Sequence, residues 1–205
     1  MVNLDYPGVC MACVDERCEV TPPDLNLSRE RVHSLAEGFD LTLVHALKDT
    51  FSDKFSSPEE AYQVYDAMKA IIVNGLKIHS AVDLEGIGMF KSVRRDGPLT
   101  IDFEPDPKLT DHHHDTSPPD IDRARDLLGN TKGYTLTTLK VIRDTFPDKV
   151  TSVEDAFRVY YVMRALLANE LEKGEVKING IGTLRSKEGR AEFTPEQVLE
   201  SAVNE

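Results

Sequence analysis

Leu41-Thr42-Leu43-Val44-His45-Ala46-Leu47-Lys48-Asp49-Thr50-Phe51-Ser52-Asp53-Lys54 and Leu136-Thr137-Thr138-Leu139-Lys140-Val141-Ile142-Arg143-Asp144-Thr145-Phe146-Pro147-Asp148-Lys149 are two versions of one segment. Sliding the chain on itself by about 95 residues superposes them without a gap. The register then holds through Ala61 on Ala156, Val64-Tyr65 on Val159-Tyr160, Met68 on Met163, Ala70 on Ala165 and Asn74 on Asn169. A one-residue slip brings Gly86-Ile87-Gly88 onto Gly180-Ile181-Gly182. The chain is an internal duplication, and each copy is expected to build the same small unit.

Working outward, the longest periodic stretch of each copy follows a capping serine, in Ser57-Pro58-Glu59-Glu60 and Ser152-Val153-Glu154-Asp155. A serine oxygen there accepts from free N–H groups of the first turn, and acidic residues suit its positive end. Apolar residues recur at Ala61, Val64, Tyr65, Met68 and Ile72, and at Ala156, Val159, Tyr160, Met163 and Leu167. That spacing predicts two long amphipathic helices whose Tyr and Met stripe is core packing. Shorter helices are expected near Leu41 to Phe51 and Leu136 to Phe146, preceded by others at Arg29 to Phe39 and Ile121 to Leu128.

A small sheet should follow each long helix. Val82-Asp83-Leu84 and Val176-Lys177-Ile178 alternate in polarity. Strands are expected around Met89 to Val93 and Leu99 to Phe103, turning at Asp96-Gly97-Pro98, and again after Gly182 and from Arg190 to Phe193, turning at Glu188-Gly189. At the end of the second copy, Thr194 is expected to cap a last helix with Pro195 at its first position and Gln197 completing the cap. The first copy has Pro105-Asp106-Pro107 there, and the second proline should shorten or abolish that helix. The expected organisation is an N-terminal extension over 1–27, one module over 28–109, a linker over 110–119 rich in Asp, His and Pro, and a second module over 120–205.

Two helices, then a strand leading into Gly-Ile-Gly-Met-Phe or Gly-Ile-Gly-Thr-Leu, resemble the HU and integration-host-factor (IHF) DNA-bending family through its glycine turn. Phe193-Thr194-Pro195-Glu196-Gln197-Val198-Leu199 is similar to that family's closing segment. The likeness covers most of Leu41 to Leu109 and Leu136 to Val203. It implies an α+β fold of two tandem HU/IHF-like modules, and, because the family folds as an intertwined dimer, a single-chain pseudo-dimer. It also implies DNA bending by long basic arms with a wedging proline at the tip. Here the sequence departs from the family, because both hairpins turn too early to carry such arms.

Composition and charge weigh on the same question. Forty per cent apolar and 29% charged residues describe an ordinary globular chain. A net charge of -12 repels nucleic acid, whose affinity for proteins rests on phosphate neutralisation. Lys91, Arg94 and Arg95 on the first hairpin, with Arg185, Lys187 and Arg190 on the second, form the local basic clusters and are the candidate nucleic-acid contacts. The alternative is solvated charge that protects sheet edges.

Cys10, Cys13 and Cys18 resemble half of a zinc site, to which His112, His113 or His114 could add a ligand. The alternative is free thiols in an extension that packs on a partner, with no metal or other cofactor. No phosphate loop, His-Glu-x-x-His or Gly-x-Ser-x-Gly pattern occurs, so no catalytic residues are assigned and the chain is expected not to be an enzyme. No apolar run reaches the length of a membrane span, and the first residues lack the pattern of a secretory signal. The expected role is a structural one by protein-protein contact, in the cytoplasm or in a virion. HU-like folds occur around the portal, neck and tail of bacteriophage virions, and the partners would be other proteins of such an assembly, copies of this chain among them. A nucleoid-associated DNA-binding role and an acidic decoy that blocks a host histone-like protein are the alternatives.

Overall fold

The computed structural model describes residues 20–205 except 36, 95, 112 and 132. The first half runs α1 (Leu25–Ser34), α2 (Phe39–Thr50), α3 (Pro58–His79), β1 (Ala81–Leu84), β2 (Gly88–Arg94), β3 (Leu99–Pro105) and a 3-10 turn (Pro107–Leu109). The second repeats that order as α4 (Ile121–Leu128), α5 (Gly133–Thr145), α6 (Val153–Leu171), β4 (Glu175–Ile178), β5 (Gly182–Lys187), β6 (Arg190–Pro195) and α7 (Gln197–Asn204). The fold is mixed α+β, with seven α-helices among the described residues and two three-stranded antiparallel sheets, ordered β1-β2-β3 and β4-β5-β6. Among the described residues no helix is long and apolar enough to cross a membrane.

The long helices begin where the serines place them. Ser57 accepts from the Glu60 N–H at 3.4 Å and Ser152 from the Asp155 N–H at 3.1 Å. Two expectations need correction. The first helix spans Leu25–Ser34 rather than Arg29 to Phe39, because Asp24 caps it by accepting from the Leu27 N–H at 2.8 Å, and Phe39 opens the next helix instead. Thr194 is not a cap. Pairing of Gly182 with Pro195 carries β6 through the proline, so α7 starts at Gln197 with Glu196 before it. The matching segment of the first half is a single 3-10 turn, with Pro107 at its first position and Asp106 capping it.

The halves share their core. Leu43, Leu47, Phe51, Tyr65 and Ile71 belong to one buried cluster with Tyr134, Leu139, Ile142, Val159 and Tyr160. The contacts are reciprocal: α2 packs on α6 and β4, while α5 packs on α3 and β1. The chain ends are exchanged as well. Leu109, after β3, is buried with Leu167, Leu171, Val176 and Leu184 of the second half, while α7 lies on α3 and β3 of the first. Either half alone would leave these buried faces open to water, and the exchange gives each helix pair its missing face. Gly75 marks a close approach, since a β-carbon there would run into the Tyr134 ring of α5, whose hydroxyl donates to the Ile71 carbonyl at 3.1 Å.

Candidate interaction surface

Strand residues alternate between two faces, which separates what each sheet buries from what it shows. Val82, Leu84, Phe90 and Ile101 of the first sheet and Val176, Leu184 and Ala191 of the second point inward and are buried. The sheets meet along β3 and β6, where the rings of Phe103 and Phe193 lie 5.6 Å apart and both touch Phe90, at 4.7 and 5.2 Å. Joined there, the two sheets lie side by side over the shared core, each turning its outer face away from it.

The hairpins add little reach. Ile101 and Ala191 are the last buried inward positions, two residues and one residue from the tip ends of β3 and β6. At about 3.4 Å per residue the strands extend past the core by roughly 7 Å, short of the about 12 Å width of a DNA major groove. The second hairpin closes in a two-residue turn, Glu188-Gly189, with both φ values positive, at 52° and 75°.

Of the sequence's candidate cations, Lys91 bonds Glu104 at 2.6 Å across the β2–β3 ladder. That bond, with the charge behind it, holds the Glu104 carboxyl below its ordinary value. Arg185 bonds Glu175 on β4, and Lys187 lies 3.7 Å from Glu192 on β6. Arg94 and Arg190 are exposed and have no ion-pair partner among the described residues. Arg95 lies outside the described residues. The register sets Lys187 opposite Arg190 on the outer face, whereas Arg94 has the inward parity of β2 and clears the core only at its tip. The five described candidates therefore do not gather into one patch.

The outer faces differ in sign. On the first sheet they carry Asp83, Asp102 and Glu104 against Lys91; on the second, Lys177, Arg185, Lys187 and Arg190 against Glu175 and Glu192. No family model, curated protein or solved structure matches this chain. What the surface does has to be read from its own chemistry.

The remaining candidates stand elsewhere. Cys10, Cys13, Cys18 and His112 lie outside the described residues. The His114 backbone is clamped by the Asn169 amide, N–H to Oδ1 at 2.7 Å and Nδ2 to carbonyl at 2.8 Å, and its ring Nε2 lies 3.0 Å from the Lys108 carbonyl. His113 stands 4.0 Å from Glu172. Among the described residues no three His, Cys, Asp or Glu side chains are placed to share a metal.

Sequence reading missed two polar seams that hold the halves together. Lys54 pairs with Asp155 at 3.1 Å and Lys149 with Glu60 at 2.7 Å, each reaching the first turn of the other half's long helix. Asp40 accepts from the Tyr65 hydroxyl at 2.7 Å and from the Asn179 N–H at 3.2 Å. Its counterpart is Thr135, which accepts from the Glu85 N–H at 2.8 Å. Between the seams an apolar cavity of about 70 Å³ is lined by residues of both halves, including Leu43, Met68, Thr138, Tyr160 and Met163.

Proposed function

We propose that this chain is a single-chain, armless counterpart of an HU/IHF-like dimer, its modules over 28–109 and 120–205, and that it works without catalysis by protein-protein contact in a larger assembly. The observation that carries this reading is the charge of the joined sheet surface. In the DNA-bending family the arms that extend from these hairpins hold the duplex. Here a duplex lying across both sheets would meet Asp102 and Glu104 on one side, and three of the five described candidate cations are already committed to Glu104, Glu175 and Glu192. Phosphate binding would have to break those pairs against a net charge of -12. The reciprocal packing of the halves and the Gly-x-Gly turns support the relationship to the family. A place in the portal, neck or tail of a bacteriophage virion fits an acidic part that docks on proteins, and it rests on the resemblance.

Titration of labelled duplex DNA at low and moderate salt tests the reading. Absence of binding even at low salt is expected. Tight, salt-sensitive binding lost in the Arg94→Glu/Arg190→Glu variant would replace it with a DNA-architectural role.

A further inference from the structure

We infer that the joined outer faces of the two sheets dock a second copy of this chain, the acidic sheet of each copy lying on the basic sheet of the other. This rests on the protein-contact reading above and names its partner. Asp102 and Glu104, the latter shared with Lys91, stand on one side of the seam, and Arg190 with Lys187, the latter 3.7 Å from Glu192, on the other. A two-fold axis parallel to the seam sets each sheet over its opposite in the other copy, so one patch complements itself and the pair closes without propagating. Arg190, with no ion-pair partner among the described residues, is the cation with most to gain.

The size of the surface sets the strength. Six strands spaced by about 4.8 Å, each about six residues long, present roughly 550 Å² in projection. That is below the about 800 Å² per partner of a standard interface, so a weak, reversible pair is expected. Opposite local charge steers such an encounter and fixes its register. The whole chain's net charge of -12 works against pairing, and salt screens that repulsion together with the local attraction. Salt dependence alone therefore does not decide the matter.

Charge exchange does. In Lys187→Glu/Arg190→Glu the basic sheet turns acidic; in Asp102→Lys/Glu104→Lys the acidic sheet turns basic. Masses of the wild-type chain and of both variants would be measured by light scattering over a concentration series, with circular dichroism to verify folding. The wild type is expected to move from one chain mass toward two, and each variant alone to pair at least tenfold more weakly. An equimolar mixture of the variants should recover the two-chain mass. A wild type that stays at one chain mass, self-association that survives both reversals, or a mixture that does not recover pairing would each overturn the inference. Should a reversal variant fail to fold, Arg190→Gln alone takes its place, with weaker pairing expected and unchanged pairing contrary. A monomeric wild type that also ignores DNA would sink only this pairing, whereas DNA binding would sink the reading beneath it.

Discussion

Lys54 Nζ lies 3.1 Å from Asp155 Oδ2, with the two side chains only 12% and 7% exposed. The equivalent pair, Lys149 and Glu60, is looser in burial at 27% and 16%. Stripping Lys54 leaves the buried Asp155 carboxylate only the longer Arg158 contact, at 3.5 Å, and a buried charge that loses its nearer counterion costs more than the pair itself contributes. Lys54→Met should destabilise the chain by about 2–3 kcal/mol and Lys149→Met by about 1 kcal/mol, read by urea unfolding. Equal and negligible effects would mean that neither pair holds the halves together.

The same pairs shape the acid limb of stability. Burial alone would raise the Asp155 carboxyl, but hydrogen bonds from Thr151 and Lys54 and the Lys54 charge outweigh it and hold it below its ordinary value. Glu60 is lowered too, burial again being outweighed by Lys149 and Ser56. A depressed folded value gives stability that is full above the unfolded value, about pH 4, and lost as pH falls through the folded one. Lys54→Met should therefore flatten the loss of stability between about pH 5 and 3. An acid limb as steep as the wild type's would assign the sensitivity to other carboxylates.

The Gly-x-Gly turns separate two kinds of glycine. At Gly88 and Gly182, φ is 139° and 154°, and a β-carbon would strike the Glu104 and Thr194 carbonyls of the neighbouring strand. Gly180, at φ 81°, faces nothing within 4 Å. Gly88→Ala and Gly182→Ala should each cost more than about 2 kcal/mol, because backbone must move, and Gly180→Ala only about 1 kcal/mol of left-handed strain. Thermal unfolding of the three variants checks the order; similar losses in all would make the motif a matter of turn conformation alone.

Why some of this was legible and some was not follows from range. The long helices declare themselves through apolar spacing and their serine caps, both of which act within a few residues. The start of α1 was also written locally, in Thr21-Pro22-Pro23-Asp24, which repeats as Ser117-Pro118-Pro119-Asp120 before α4. Both prolines end up against the long helices, Gln63 donating to the Pro23 carbonyl at 2.6 Å and Arg158 to Pro119 at 2.8 Å. The fate of Thr194 depended on strand pairing, which turn preferences do not report. Lys54 and Lys149 were visible as repeated residues, but their partners lie a whole module away and follow only from how the halves interlock. The hairpin cations were read as clusters because sequence shows neighbours along a strand, while the carboxylates that pair with them sit across it.

The cavity between the halves gives a packing prediction. Thr138 lines it where the repeat places Leu43 in the first half, and the Thr138 hydroxyl is spent on the Tyr134 carbonyl of its own helix at 3.0 Å. Thr138→Leu would put apolar atoms into about 70 Å³ of unfilled space. At about 0.8 kcal/mol per buried methylene, a gain of roughly 1 kcal/mol and a rise of about 2–4 °C in Tm are expected. A fall in Tm would show that the space closes in solution or that its walls do not accept a leucine.

Asp40 supplies the opposite pH signature to Asp155. Burial raises its carboxyl above the ordinary value, and the Tyr65 hydrogen bond, the Lys69 charge and the bonds from Asn179 only partly offset it. The folded state therefore holds the Asp40 proton more tightly than the unfolded chain does. The stability this contributes is complete below the unfolded value, near pH 4, and is lost as pH rises through the folded one. Asp40→Thr removes the titrating group and installs the residue that the repeat has at Thr135, whose oxygen can accept from the Asn179 N–H as Thr135 accepts from Glu85. Tyr65 would lose its acceptor, a loss independent of pH. The difference in Tm, variant minus wild type, should thus become more positive between about pH 4 and 7, whatever its absolute sign. A flat difference would mean that Asp40 is as well solvated by its partners as by water, and a falling one that they favour its charged form.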